Sequence, residues 1–322
     1  MRTLTEIPRL SVLMPVYNTS RYLRDALNSI GAQSFTDIEF IAIDDGSDDG
    51  SAAILEQFAT RESRMRLVKR GNLGLIATRN ELLEAARGEL VAWMDSDDIS
   101  LPHRLALQIE AFERDPELAC LGTAAQCIDP DGNYLNLERY PSSHPQILIE
   151  QQKGGAMRFP TTMMRRDLAL RVGGFREPFR IGEDFDLLLR LSEIGKMANL
   201  PDTLYLYRQH ISSVCATLGP QWPIYRDHIL ELARERRNGG RDRLQNGGSI
   251  SIPKATSMDT KQNEWRAYLS WADHALRNRN FPLSWNYARA ALARRPLSRA
   301  AWKMLLRILR RAGPGMLISK MR

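Results

Sequence analysis

Residues 89–98 read ELVAWMDSDD, an apolar run from Leu90 to Met94 that ends in three carboxylates within four residues. A run apolar on both faces is how a strand buried in a helix-covered parallel sheet reads. Three adjacent carboxylates repel one another, which is costly at a buried strand end unless a cation neutralises them. Carboxylate oxygens suit hard divalent ions such as Mg2+ or Mn2+, with water and substrate phosphates completing the shell. The competing reading is a solvated acidic loop that caps a helix starting near Pro102.

Towards the N-terminus the same grammar repeats. Leu10 to Val16 reads as a buried strand, and Ser20 as the cap of a helix with Leu23, Ala26, Leu27 and Ile30 at helical spacing. Ile38 to Ile43 is a second apolar strand and ends in Asp44-Asp45-Gly46-Ser47. A helix over 51–61, a strand over 66–69 and a helix from Gly71-Asn72-Leu73-Gly74 to Ala86 precede the opening stretch. Alternating strands and helices predict an α/β fold with a mostly parallel sheet. Polar clusters follow three strands: Tyr17-Asn18, Asp44 to Gly50, and Asp95 to Asp98. Ligands of open parallel sheets sit beyond the carboxyl ends of the strands, so these clusters are expected to meet at one site.

Other residues invite roles there, each with a structural alternative. A carboxylate of Asp44 or Asp45 can accept from a heterocyclic N–H, or merely close a turn. Asn72 and Arg79 follow the third strand, and the fork of Arg79 suits a phosphate or one of the acidic residues, unless it is an exposed helix arginine. Glu183 and Asp184 open an apolar helix, 187–194, where they favour the helix dipole; one of them, with Asp184 preferred, can be a general base. His210 ends a strand-like alternation and can ligate a metal or contact phosphate. No Walker loop or dinucleotide fingerprint follows the first strand, which weighs against nucleoside triphosphatase and dehydrogenase chemistry.

Downstream, a helix over 101–114, strand-like residues 118–128 and a turn at Asp129-Pro130-Asp131-Gly132 are expected, whereas Gly154 to Glu183 shows no period. The expected organisation is a domain over 1–237, a Gly-rich flexible linker over 238–260 and a basic helical segment over 261–322. Of the formal charge of +7, residues 261–322 hold 14 Lys and Arg against Glu264 and Asp273, a net of +12, so the remaining 260 residues total −5. Nucleic-acid binding, which rests on charge alone, weakens once the charge is localised. Three cysteines without a CxxC pair argue against a disulfide framework or a zinc site. Neither a membrane-spanning run nor a cleavable leader is legible, and a cytoplasmic location is expected.

In this order the motifs resemble those of family 2 glycosyltransferases of the GT-A fold: Pro15-Val16-Tyr17-Asn18, Asp44-Asp45-Gly46-Ser47, Asn72-Leu73-Gly74 with Arg79-Asn80, Asp95-Ser96-Asp97-Asp98, Gly173-Gly174-Phe175 and Glu183-Asp184-Phe185-Asp186. The likeness covers residues 8–215. It implies transfer of a sugar from a nucleotide-diphosphate donor, UDP by the family's weighting, to a glycan or lipid-linked hydroxyl, with inversion. Pro15, Tyr17 and Asp45 would hold the base, supported by Asp44; Asp95 and Asp97 would form the Asp-x-Asp motif with Mn2+ or Mg2+; Asp184 would be the base; and His210 would lie near the diphosphate. A Gln-x-x-Arg-Trp motif, typical of processive members, is absent.

Two alternatives remain at this level. A sugar-nucleotide pyrophosphorylase would show a Gly-rich, Lys- or Arg-containing loop after the first strand, and Pro15-Val16-Tyr17-Asn18 is not one. A catalytically silent glycan-binding scaffold would have lost carboxylates that are present here. Interleaved tryptophans and arginines of the C-terminal segment suit either a small helical bundle or peripheral contact with an anionic membrane, such as the inner face of a plasma membrane.

Overall fold

The computed structural model describes residues 7–252 and 260–312. The chain forms two compact units, one from residues up to 125, 139–206 and 223–252, the other from 126–138, 207–222 and 253 onward. Both are discontinuous in sequence, unlike the contiguous segments expected above, because the second unit takes in a hairpin and a strand end remote along the chain. Residues 253–259 of the expected linker and 313–322 of the basic segment lie outside the described residues.

In the first unit, β1 (Leu10–Val16) and β2 (Ile38–Asp45) are buried at every position and pair in parallel from Leu10 opposite Ile38 to Val16 opposite Asp44. Between them α1 (Ser20–Gly31) buries Leu23, Ala26, Leu27 and Ile30. Ser20 is not the cap: Thr19 holds that position and makes no side-chain cap bond. The backbone N–H groups of Thr19 and Ser20 are taken instead by Ser51 Oγ at 3.1 Å and Asp49 Oδ2 at 2.8 Å. Helix α2 (Ser51–Ala59) leads to β3 (Met65–Arg70), parallel to β2. Helix α3 (Leu75–Ala85) leads to β4 (Leu90–Trp93), parallel to β1.

Beyond β4 the sheet turns antiparallel. Its full order is β3-β2-β1-β4-β8-β6-β9-β5, where β5 is Ile99–Ser100, β6 Leu118–Ile128, β8 Met163–Arg165 and β9 Lys196–Arg208, with β7 (Tyr134–Glu138) paired to β6. Strand β8 is three residues long, with Met164 opposite both Val91 and Cys120, and lies in the segment without sequence period. Helix α4 (Arg104–Arg114) starts three residues later than expected, since the N–H of Leu101 is held by Leu204 O at 3.0 Å. Helices α5 (His144–Gln151) and α6 (Arg166–Arg171) cover the sheet. Helix α7 (Glu183–Ser192) starts earlier, at the acidic residues themselves, after Gly182 in the left-handed conformation. Trp93 meets Phe175 edge-on at 5.1 Å and Phe159 at 5.3 Å, anchoring the core beneath the strand ends.

Part of the expected linker is built into this unit. Helix α9 (Trp222–Gly239) follows a short helix α8 (Val214–Leu218), and Asp242 beyond it is fully buried. Its carboxylate accepts from Arg176 Nη1 at 2.8 Å and Arg236 Nη1 at 2.5 Å. Arg176 also grips Asp186 of α7, Nε to Oδ2 at 2.9 Å.

In the second unit, beside β7 and α8, three helices pack together: α10 (Thr260–Arg277), α11 (Phe281–Arg294) and α12 (Arg299–Ala312). Pro282 sits in the first turn of α11, capped by Asn280 Oδ1 accepting from Leu283 N at 3.2 Å. Ala272, Leu276, Ala288, Met304, Leu305 and Ile308 form its core. Trp271 is buried with Cys127 and Leu135, its Nε1 donating to Gln209 Oε1 at 2.9 Å, while Trp302 is 54% exposed. No described helix is long and apolar enough to cross a membrane.

Candidate functional site

The three polar clusters meet beyond the strand ends, as their order predicts, and they are tied to one another. Asn18, with φ of 51°, donates its N–H to Ser47 Oγ at 3.0 Å, and its Oδ1 accepts from Asp48 N at 2.9 Å. Thr19 Oγ1 bonds Ser96 Oγ at 3.0 Å, joining the first loop to the Asp95 to Asp98 turn. Gly46 has φ of 79°, and a Cβ there would stand 2.8 Å from the backbone N of Asn72, so only glycine lets the second and third loops approach.

Among the described residues, carboxylate oxygens of Asp95, Asp97 and Asp98 lie within 4.8 Å of one another, with Asp98 fully buried. That donor set, oxygen only and negatively charged, fits a hard divalent cation. Below it lie two residues the sequence reading passed over as site members. The Tyr205 hydroxyl of β9 accepts from Asp95 N at 3.3 Å, and burial, then the Asp98 and Asp95 carboxylates, push its pKa well above the usual value. Fully buried Arg104 donates to Trp93 O at 2.8 Å and stacks over the Tyr205 ring at 5.0 Å. Burial brings its pKa down to about 10, against the pull of Tyr205 and Asp98. Asp98 was legible as the fourth residue of its motif; Arg104 carried only the signal of an arginine in an apolar helix.

Facing the turn is Arg79 of α3, 5% exposed. Its Nη1 donates to Glu183 Oε1 at 2.5 Å and its Nη2 stands 3.5 Å from Asp95 Oδ1. The guanidinium lies over Phe159 at 4.7 Å and Phe175 at 5.5 Å, so it is fixed by rings as well as charges. It is therefore not an exposed helix arginine. Burial pushes Asp95 up to about 6, opposed by Arg79 and reinforced by Asp97 and Asp184. Burial likewise raises Glu183 to about 8, opposed by Arg79 and reinforced by Asp184 and Asp95. The excess of negative charge is what a bound cation would relieve.

The three acids of α7 differ in environment. Asp186 is spoken for by Arg176 and Arg190, the latter at 2.7 Å, and Glu183 is buried against Arg79. Asp184 is half-buried, and its Oδ1 accepts from Phe185 N at 2.7 Å. Asn80 and Gly174 are structural: Asn80 exchanges two hydrogen bonds with the Phe175 backbone, at 2.8 and 2.9 Å, and a Cβ on Gly174 would meet Asn80 Oδ1 at 2.5 Å.

At the other end of the edge, Pro15 is buried in β1 and Tyr17 is 50% exposed. Asp44 Oδ1 accepts from Ser47 N at 3.1 Å, closing the turn. Asp45 holds the third loop: Oδ1 accepts from Leu73 N and Oδ2 from Gly74 N, both at 2.9 Å, and Arg70 pairs with Oδ1. Asn72 is exposed beside it. His210 belongs to the second unit, where its Nδ1 stands 2.8 Å from Ser212 Oγ.

A sheet of this order with an acidic turn at its switch point is the GT-A glycosyltransferase fold. S. aureus TarS residues 1–349, solved with UDP, superposes with a TM-score of 0.54 at 19% identity over 94% of this chain and 90% of that one. The mannosyltransferase PcManGT from Pyrobaculum calidifontis, solved with GDP-Man and Mn2+, gives 0.52 at 19% identity over 96% and 81%. Residues 11–173 match the glycosyl transferase family 2 model, and the chain belongs to that family. It is 35% identical over 207 residues to the putative glycosyltransferase EpsE of Bacillus subtilis, covering 63% of this chain and 73% of the relative. To the chondroitin synthase of Escherichia coli it is 30% identical over 215 residues, 66% of this chain but only 29% of that protein's length.

Proposed function

We propose that the protein transfers a sugar from a nucleotide diphosphate, a UDP-sugar by preference, to a hydroxyl of a glycan or lipid-linked acceptor in the synthesis of a cell-surface polysaccharide. The observation that carries the reading is the half-buried Asp184 carboxylate, electrostatically close to the Asp95 to Asp98 turn while its neighbours Glu183 and Asp186 are consumed by arginines. Relatives named for polysaccharide synthesis support the acceptor class.

The exposed ring of Tyr17, which follows Pro15 at the end of β1, would pack against the base. Among the described residues Oδ2 of Asp45 accepts from Gly74 N, which leaves a second lone pair for a heterocyclic N–H. Asp97 and Asp95 would hold Mn2+ or Mg2+, which supplies Lewis-acid neutralisation of charge developing on the leaving diphosphate. Arg79 positions Asp95 and Glu183. Asp184 takes the proton of the acceptor hydroxyl as that oxygen attacks the anomeric carbon from the face opposite the leaving group. One displacement inverts that centre and needs one base, in contrast to the two-carboxylate retaining hydrolases. A peripheral place at the inner face of a plasma membrane would bring the enzyme to a lipid-linked acceptor.

The test pairs Asp184→Asn with Asp97→Ala. Asp184→Asn is expected to keep UDP binding and lose at least about 100-fold in transfer rate, the usual scale of general-base catalysis. Asp97→Ala is expected to abolish the Mn2+ dependence of UDP binding in calorimetry. Normal turnover by the first variant removes Asp184 from its role, and Mn2+-independent UDP binding by the unaltered chain removes the metal.

A further inference from the structure

Helix α12 has more apolar surface than its own unit covers. At 100° per residue, Met304, Ile308, Ala301, Ala312 and Leu305 fall on one arc, and all are buried, with Met304, Leu305 and Ile308 in the core shared with α10 and α11. The next arc holds Leu309, Trp302 and Leu306, which are 41%, 54% and 52% exposed. Directly after them come Arg299, Arg310, Lys303, Arg307 and Arg311. Leu297, in the turn before the helix, is 95% exposed. Trp302 donates its Nε1 to Pro296 O at 3.0 Å, so the polar edge of the indole is satisfied. Arg307 pairs with Asp273 at 3.0 Å, whereas no ion pair engages Arg299, Lys303, Arg310 or Arg311 among the described residues.

We propose that this outer face of α12 is a docking surface for an anionic lipid bilayer, with Leu297, Trp302, Leu306 and Leu309 entering the interface and the neighbouring cations meeting lipid phosphates. Charge chooses the occupant. A self-complementary contact between two copies would bring two rows of unpaired cations together, since a twofold interface sets each patch against itself. An anionic surface neutralises them, each basic residue near such a surface contributing about as much as one weak ionic contact. An aromatic residue with two leucines beside a cationic arc is the pattern of helices that lie in a membrane interface. This deepens the membrane part of the function proposed above, and vesicle binding is read without donor or acceptor, so it fails or stands apart from the transfer chemistry.

The full chain is mixed with vesicles of phosphatidylcholine alone or with phosphatidylglycerol, and its sedimentation with lipid is measured. Binding to the anionic vesicles is expected, weakening with added salt. Trp302→Gln/Leu306→Gln/Leu309→Gln should bind at least about tenfold more weakly, and so should Arg299→Gln/Lys303→Gln/Arg310→Gln/Arg311→Gln, both with unchanged helix content by circular dichroism. None of these side chains belongs to the buried arc, and helix content reads loss of fold separately from loss of binding. The proposal is overturned if the native chain stays in the supernatant, if either variant binds as the native does, or if the native is a dimer that the apolar variant converts to a monomer.

Discussion

Replacing Asp45 by alanine removes the one carboxylate that fastens the loop between β3 and α3. Two backbone donors, Leu73 N and Gly74 N, lose acceptors at 2.9 Å, in a place where the Asp45 side chain is only 5% exposed. A donor left without a partner in such a place costs about 1–3 kcal/mol, so the pair costs about 2–6 kcal/mol. Arg70 adds little, because its Nε keeps Glu81 at 2.9 Å and its Nη2 keeps Thr78 Oγ1 at 2.9 Å. Against a typical total of about 5–15 kcal/mol this is a large loss. With a urea slope of about 2 kcal/mol per molar, the unfolding midpoint should fall by about 1–3 M. Asp45→Asn keeps one acceptor and should lose roughly half as much. The loop begins α3, so Arg79 should shift and UDP affinity fall in the same variant. Urea unfolding followed by fluorescence, with calorimetry of UDP binding, reads both. A midpoint within about 0.3 M of the native value would refute the anchoring argument and leave Asp45 as a nucleotide contact alone.

Two further outcomes follow from buried charge. Asp242→Ala takes a shared partner from Arg176 and Arg236, which keep Asp186 and Glu193, and should cost about 1–3 kcal/mol, the scale of lost hydrogen bonds to charged groups; an unchanged midpoint would return residues 240–248 to the status of a passive tether. His274, half-buried on α10 with no hydrogen-bond partner at Nδ1 among the described residues, has its pKa lowered from 6.5 by burial. The unfolded chain then binds the proton more readily, so this contribution is complete above 6.5 and is lost as pH falls below it. Glu183, raised to about 8, pulls the opposite way, so the readable quantity is a difference. Between pH 7.5 and 5.5 the midpoint of His274→Gln should fall less than that of the native chain, and parallel curves would refute the assignment.

What could be read from sequence was whatever depended on near neighbours. Buried parallel strands announce themselves because both faces are apolar, and their polar ends mark the functional edge without knowledge of the pairing. Hence Asp45, Arg79, Asp95 and Asp184 fall along one edge of the first unit. The illegible parts arise from contacts between distant residues. Strand β8 is too short to show a period and exists because Val91 and Cys120 offer it two neighbours at once. Asp242 reads as part of a Gly-rich linker, and Arg176, 66 residues away, joins the nearby Arg236 in making it a buried anchor. Arg104 and Tyr205 come together under the acidic turn from α4 and β9, a meeting that helix and strand periodicities do not encode. Ser20 misled for the same reason: the side chain that serves the start of α1 belongs to Asp49.

The ties between the strand-end loops, Asn18 with Ser47 and Asp48, and Thr19 with Ser51 and Ser96, bear on how such an edge can be altered. A loop grafted alone from a relative would arrive without the hydroxyls and amides that its neighbours bond. Shared partners make substitutions non-additive. Altering this edge therefore calls for exchanging residues 17–20, 44–51 and 95–98 as one block, and double-mutant cycles across the three should show coupling where distant surface pairs show none.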